Sequence, residues 1–311
     1  MMAKKTSSLS FINGDKPQYR GDKLQYRIVK AVYYILNRIN NFLPNYHRNN
    51  SLIRENLIVK NLNQYWTKCN IKSSPSRKLS DIFWISLPWN KIEKELLKIN
   101  IFDAGCGSGS YGSKINDWSE GRVHQYIGID FQEHDNWQLL EKDYSNFRFL
   151  CFNVNEMETI IPEETNFFMS QSAIEHFKED LTFFKKIQMH VIESTAPIIQ
   201  FHLFPSSACL KLYGLHGYRQ YSPRTIHKIW CLFRKFSSGI LFELGSHNCN
   251  QLHWEYITQS IRSNGIDLRD SKTDRYDSLL KEAVVNDFAS EKSQPSFYAL
   301  CIQSNFSNLV F

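Results

Sequence analysis

Residues 99–115, INIFDAGCGSGSYGSKI, set glycines at 105, 107, 109 and 112 behind a short apolar run that ends on Asp103 and Ala104. Glycines at that place let the backbone turn sharply and let a ligand approach main-chain amides that a Cβ would block. Asp130 follows twenty-one residues beyond Gly109, at the end of the next apolar run, HQYIGID. A carboxylate there can accept hydrogen bonds from both ribose hydroxyls of a nucleoside lying across the crevice of a parallel sheet. The glycine string alone is a weak signal; with an acid at this distance it describes a nucleoside site.

Two cofactor classes use such a scaffold. A dinucleotide wants a third glycine three residues after the second, where this chain has Ser110 after Gly105 and Gly107. Asp103, two residues before the first glycine, would repel a pyrophosphate and suits the ammonium and sulfonium of S-adenosylmethionine. On these residues the chain resembles the class I S-adenosylmethionine-dependent methyltransferase family, whose first motif is similar to IFDAGCGSG here.

The resemblance continues with Asp130 after the second strand, Asn153 in FLCFNVNEM after the third, and Glu175 with His176 in NFFMSQSAIEHF after the fourth. Where the family usually begins that fourth strand with Asp, this chain has Asn166, which leaves a role in holding the strand end. The resemblance implies a cofactor site of Asp103, Ala104, Gly105, Cys106, Gly107, Ser108, Gly109, Asp130, Phe131, Asn153, Val154, Ser170, Gln171 and Glu175. It implies S-adenosylmethionine as cofactor, S-adenosylhomocysteine as product, and no metal. Cys106 reads as a compact filler in the glycine loop rather than a nucleophile.

A hydroxyl acceptor needs a base near the strand ends, and His176, His202 and His216 are the candidates. His202 has a competing reading as a buried, backbone-satisfied histidine. In LYGLHGYRQYSPRTIHKIW, Arg219 and Tyr221 are candidates for contact with substrate, Arg219 for a carboxylate or phosphate. Ser222 and Pro223 read as a helix cap and first-turn proline.

These residues need an α/β frame. Apolar runs near 99–104, 123–130, 147–152, 166–171, 197–204, 239–244 and 296–303 alternate with helical patterns. That predicts a Rossmann-like, doubly wound, seven-stranded sheet, mostly parallel with an antiparallel last strand, over 96–311. Residues 1–95 are expected to form a basic helical extension, with 51–98 helical and aromatic, and with Ser73, Ser74, Pro75 and Ser76 as a boundary or mobile lid.

With 42% hydrophobic, 14% aromatic and 22% charged residues, the 311-residue chain has the composition of a folded soluble protein. Its net charge of +6 is uneven: residues 1–60 hold eleven Lys and Arg against three acids, a net of +8. DKLQYRIVKAVYYILNRINNFLP places Leu24, Ile28, Ala31, Ile35, Ile39 and Phe42 at helical spacing. The expectation is an amphipathic helix whose stripe packs on the domain, with an anionic membrane surface as the alternative.

No apolar run is long enough to span a bilayer, which reads as a cytoplasmic protein with possible peripheral contact at the inner membrane surface. The acceptor is read as a sugar, glycan or lipid-linked saccharide, in line with a resemblance to bacterial methyltransferases of surface-polysaccharide synthesis. Nucleic acid is disfavoured because the fourth strand reads SQSAIEH, without the Pro-Pro-aromatic string of base-methylating members. Two alternatives stay open: an NAD(P)-dependent oxidoreductase and a non-catalytic cofactor-binding interaction subunit.

Overall fold

The computed structural model describes residues 31, 32, 35, 36, 39, 51–152, 161–213, 217–290 and 294–311. The chain begins its described body with strand β1 (Leu52–Asn56), followed by helices α1 (Leu62–Trp66), α2 (Pro75–Ser86) and α3 (Trp89–Leu96). The nucleoside-type unit follows as β2 (Ile99–Ala104), α4 (Ser110–Trp118), β3 (Val123–Asp130), α5 (Asn136–Asp143) and β4 (Phe147–Cys151). Next come β5 (Phe167–Gln171), a 3-10 turn (Ile174–His176), α6 (Asp180–Glu193), β6 (Ile198–Pro205), α7 (Leu210–Tyr213), α8 (Pro223–Phe233) and β7 (Ser237–Leu244). The last part is α9 (His247–His253), α10 (Ser260–Asn264), α11 (Leu268–Ser271), α12 (Thr273–Ala289) and β8 (Phe297–Ser304).

The strands form one sheet in the order β1-β7-β8-β6-β5-β2-β3-β4, with β8 antiparallel to β6 and β7 and the other pairs parallel. All seven expected strands are present, and the antiparallel last strand is where the pattern placed it. Among the described residues the strand count is corrected to eight. Residues 52–56, expected in helical text, form an edge strand against β7, paired from Leu52 with Gly239 to Asn56 with Glu243. LIREN is short and polar enough to sit on an edge, and its register is set by β7 rather than by any alternation of its own.

The central strands are buried on both faces, so they read as continuous apolar runs. Ile99, Ile101, Met169, Phe201 and Leu203 lie on the face covered by α2 and α3, where Trp84 and Phe83 pack edge-on against Phe201. Phe102, Phe168, Ile198 and Phe204 face α6 and α8. Asn166 does hold a strand end: its Oδ1 accepts from the Asn100 N–H at 3.0 Å and its Nδ2 donates to Lys98 O at 2.7 Å.

Two further expectations change. The serine-proline cluster, expected as a boundary or mobile lid, is the start of α2: Ser74 caps the helix, its Oγ accepting from the Arg77 N–H, and Pro75 takes the first position. In the N-terminal stripe, residues 31, 32, 35, 36 and 39 are helical, yet Ala31, Val32, Ile35, Leu36 and Ile39 are exposed. The packing expected of Ala31, Ile35 and Ile39 is therefore not formed; Leu24, Ile28 and Phe42 lie outside the described residues.

Candidate functional site

In this sheet the chain runs outward from β2 through β3 to β4, then returns to place β5 on the other side of β2. Ligands of open α/β sheets bind beyond the carboxyl ends of the strands at that reversal. Three carboxylates gather at those ends: Asp103 on β2, Asp130 on β3 and Glu175 in the 3-10 turn after β5. All three are buried.

The glycines between them divide by purpose. A Cβ on Gly105 would stand 2.5 Å from the Cβ of Ala173, and one on Gly109 would stand 2.4 Å from the Phe149 ring, so both are required by packing. Gly107 has φ +54° and nothing within 4 Å of where its Cβ would be. That open space is where a ligand can lie against the main chain. Asp130 borders it, its Oδ2 accepting from the Gly107 N–H at 2.9 Å, while Phe131 beside it is 73% exposed. Trp137 donates from Nε1 to Gly107 O at 2.7 Å, fixing the outer side of the loop. Cys106 fills the space over Gly128, and burial with the nearby Asp103 and Asp130 pushes its thiol well above the ordinary value, as a filler rather than a thiolate.

Asp103 accepts from the Tyr126 hydroxyl at 2.6 Å through Oδ2, and its buried Oδ1 has no hydrogen-bond partner among the described residues. Desolvation, opposed by the Tyr126 bond and aided by the Asp130 charge, raises its pKa to about 7. An unpartnered buried carboxylate oxygen at a strand tip, an acid hydrogen-bonded to a bare loop, and an exposed aromatic ring fit a cationic nucleoside. A pyrophosphate would meet three carboxylates at these tips.

The remaining expected residues do not all converge. Asn153, Val154 and His216 lie outside the described residues. Ser170 and His202 face α6: Ser170 Oγ and His202 Nδ1 are 2.8 Å apart, and the His202 ring lies edge-on to Phe184 at 4.8 Å. His202 is wholly buried, and desolvation lowers its pKa to about 3, so the buried reading replaces the basic one. Gln171 faces the other side and accepts from Trp84 Nε1 at 2.8 Å. Within the Glu175–His176 pair, Glu175 is enclosed and His176 is half-buried. The Tyr218 N–H donates to Glu175 O at 2.6 Å, docking the loop after α7 onto this turn.

Arg219 and Tyr221 are bonded within the protein. Arg219 donates to Phe177 O at 2.8 Å and Lys178 O at 2.7 Å and pairs with Asp180 at 3.1 Å. Tyr221, wholly buried, donates to Asp180 at 2.8 Å. Both side chains bind the loop after β6 to the segment after β5, which leaves them engaged inside the protein rather than turned to a substrate. Ser222 and Pro223 open α8 as expected, with Thr225 completing a reciprocal cap.

What the motifs missed is α2, which packs on the sheet face and ties at its first half to α4 and α7. Ser76 Oγ meets the Tyr213 hydroxyl at 2.8 Å, and Asp81 accepts from the Tyr111 hydroxyl at 2.5 Å. No local spacing links α2 to α4 and α7; only the fold brings them together. A cavity of about 390 Å³ lies apart, bordered by β1 residues, Tyr65, Phe83, Phe242 and Phe311, and no residue of the glycine loop lines it. The loop and its carboxylates, not that hollow, carry the chemistry described here.

No family model matches the chain, and no curated protein matches it. Among solved structures it is similar to the plantazolicin methyltransferase BamL in complex with a triazolic desmethylPZN analogue and S-adenosylhomocysteine. The identity is 14% over 78% of this chain and 94% of that one, with a TM-score of 0.45. The 4+2 cyclase SpnF is similar at 9% identity over 89% and 94%, also with a TM-score of 0.45. Phosphoethanolamine N-methyltransferase 2 of Haemonchus contortus, with S-adenosylmethionine, gives 14% over 70% and 52%, with a TM-score of 0.42. At these values the chemistry of the site rests on its own residues.

Proposed function

We propose that the protein is an S-adenosylmethionine-dependent methyltransferase that methylates a hydroxyl of a sugar, glycan or lipid-linked saccharide. The observation that carries the cofactor is the set of three buried carboxylates around a glycine loop with open space over Gly107. Asp130 holds the ribose hydroxyls, Phe131 covers the base, and Asp103 with Glu175 faces the positive charges of the methionine end. Bound there, the cofactor would supply an already activated methyl group. The chain then has to orient the acceptor and exclude water, a contribution of up to about 7–11 kcal/mol for well-aligned partners.

With His202 sealed against α6, the half-buried His176 is the described histidine proposed to take the acceptor proton. Access to a lipid-linked acceptor is supported by the exposed apolar positions Val32, Ile35, Leu36 and Ile39 in a segment of net positive charge. No helix among the described residues is long and apolar enough to cross a membrane.

Calorimetry with S-adenosylhomocysteine and NAD tests the cofactor. Micromolar binding of the first with none of the second is expected, and the reverse would overturn the reading. For the acceptor, labelled methyl transfer from S-adenosylmethionine into cell extracts should mark a saccharide fraction, and a labelled protein or nucleic acid would replace it.

A further inference from the structure

The cofactor proposed above is a zwitterion at its amino-acid end, and the strand tips answer only its positive charges. Its carboxylate needs a cation or several donors, and among the described residues the glycine loop supplies no cation. Four basic side chains lie on α2, on α4 and in the loop docked on Glu175. Lys78 is wholly buried and bonded to Asp277 at 3.0 Å, on the far side of α2 over Trp66. Lys114 pairs with Asp81 at 3.7 Å, and Arg219 is held by two carbonyls and Asp180. Arg77 is different.

Arg77, half-buried in the first turn of α2, sits with its guanidinium 5.1 Å from the centre of the Tyr111 ring. Tyr111 is the second residue of α4, two positions beyond Gly109. The neighbouring Ser76 is bonded to the Tyr213 hydroxyl at 2.8 Å, and Tyr213 ends the helix whose following loop docks on Glu175 through the Tyr218 N–H. Arg77 thus lies beside the glycine-loop helix, one residue from the Ser76–Tyr213 tie to the segment that docks on Glu175. The Tyr111 ring and oxygen engage only part of a group with five N–H donors in a planar fork. The Tyr111 hydroxyl gives its proton to Asp81, so it holds the guanidinium by its face and lone pair without neutralising it.

We propose that Arg77 binds the α-carboxylate of the cofactor's methionine portion, with Tyr111 and Asp81 as positioning residues that fix the guanidinium. This rests on the reading of the site as an S-adenosylmethionine site, and it adds a specificity element: recognition of the intact amino acid, supplied by a helix outside the glycine motif. A planar fork facing a carboxylate can make two parallel bonds.

The test compares two ligands on the wild type and on Arg77→Met by calorimetry: S-adenosylhomocysteine, which has the carboxylate, and 5′-methylthioadenosine, which lacks the amino acid. Arg77→Met should weaken S-adenosylhomocysteine about 10- to 100-fold, the range of a lost charge-assisted pair, and change 5′-methylthioadenosine less than about twofold. Arg77→Lys should fall between the two, because it keeps the charge and loses the fork. Retained 5′-methylthioadenosine binding shows that the variant is folded. Unchanged S-adenosylhomocysteine affinity in Arg77→Met, or an equal loss for both ligands, would overturn the assignment of Arg77. A wild type that binds neither ligand would instead overturn the cofactor reading itself.

Discussion

Asp130 uses one carboxylate oxygen on the Gly107 amide at 2.9 Å and reaches Gln132 N only at 3.4 Å with the other. Its capacity for further hydrogen bonds is what the ribose would take up. Asp130→Ala should weaken S-adenosylhomocysteine binding by about 1–3 kcal/mol, read by calorimetry, and an unchanged affinity would remove Asp130 from the site. Asp103 gives a pH signature. Its pKa, raised to about 7 in the fold against 3.8, means that the folded protein binds the extra proton. Stability from this group is thus present at low pH and lost as pH rises between about 4 and 7, and Asp103→Asn should flatten that part of the profile in thermal melts. A cationic ligand prefers the ionised form, so cofactor affinity should rise with pH through about 7 in the wild type and not in Asp103→Asn. The glycines offer a separate contrast. Gly109→Ala, driven into Phe149 at positive φ, should destabilise the fold, whereas Gly107→Ala meets only open space and should cost about 1 kcal/mol of backbone strain while blocking the ligand. Denaturant melts beside binding curves separate the two.

At the scale of elements, α2 determines whether the site is complete. It is held on one side by Trp84 and Phe83 against the sheet and on the other by Lys78, whose ammonium is enclosed between Asp277 of α12 and the Trp66 ring at 4.3 Å. Asp277 also accepts from Trp66 Nε1 at 2.9 Å, so one carboxylate joins α1, α2 and α12. Removing it leaves a buried charge without its counter-ion. Asp277→Ala should cost about 3 kcal/mol in urea unfolding, the low end for breaking a buried pair because Asp277 is partly exposed. Lys78→Met in the same background should recover most of the loss, since an apolar side chain of similar length needs no partner. If the double variant is no better than the single, the pair is not what fastens α2. α2 was legible as helical text only from Leu79 onward, and its place on the sheet was not legible, because the residues that fix it, Phe167, Phe201 and Asp277, are distant in sequence.

Across the whole molecule, charge is divided between an N-terminal segment of net +8 and a body that is slightly acidic. The exposed helical positions 32, 35, 36 and 39 are spaced to form one apolar stripe. Deleting residues 1–44, which precede β1, should leave the melting of the sheet domain near the wild-type value and abolish sedimentation with anionic vesicles. Equal sedimentation would detach this segment from any membrane role. Raising salt should release the wild type, because the attraction to the surface is screened over about 10 Å at 0.1 M.

The residue order alone determined the seven principal strands, the glycine loop, Asp130 at the end of β3 and the cap at Ser222. Each follows from signals read within a few residues: apolar runs, bare backbone, a side-chain oxygen next to free amides. The tertiary structure decided what depends on partners distant in sequence. It recruited β1 as an eighth strand, turned His202 into the α6 face, consumed Arg219 and Tyr221 in ties to Asp180, and set Arg77 beside Tyr111. A side chain's chemistry is fixed by its covalent structure, but its availability is fixed by burial and by the charges opposite it, and those exist only once the sheet has closed its order.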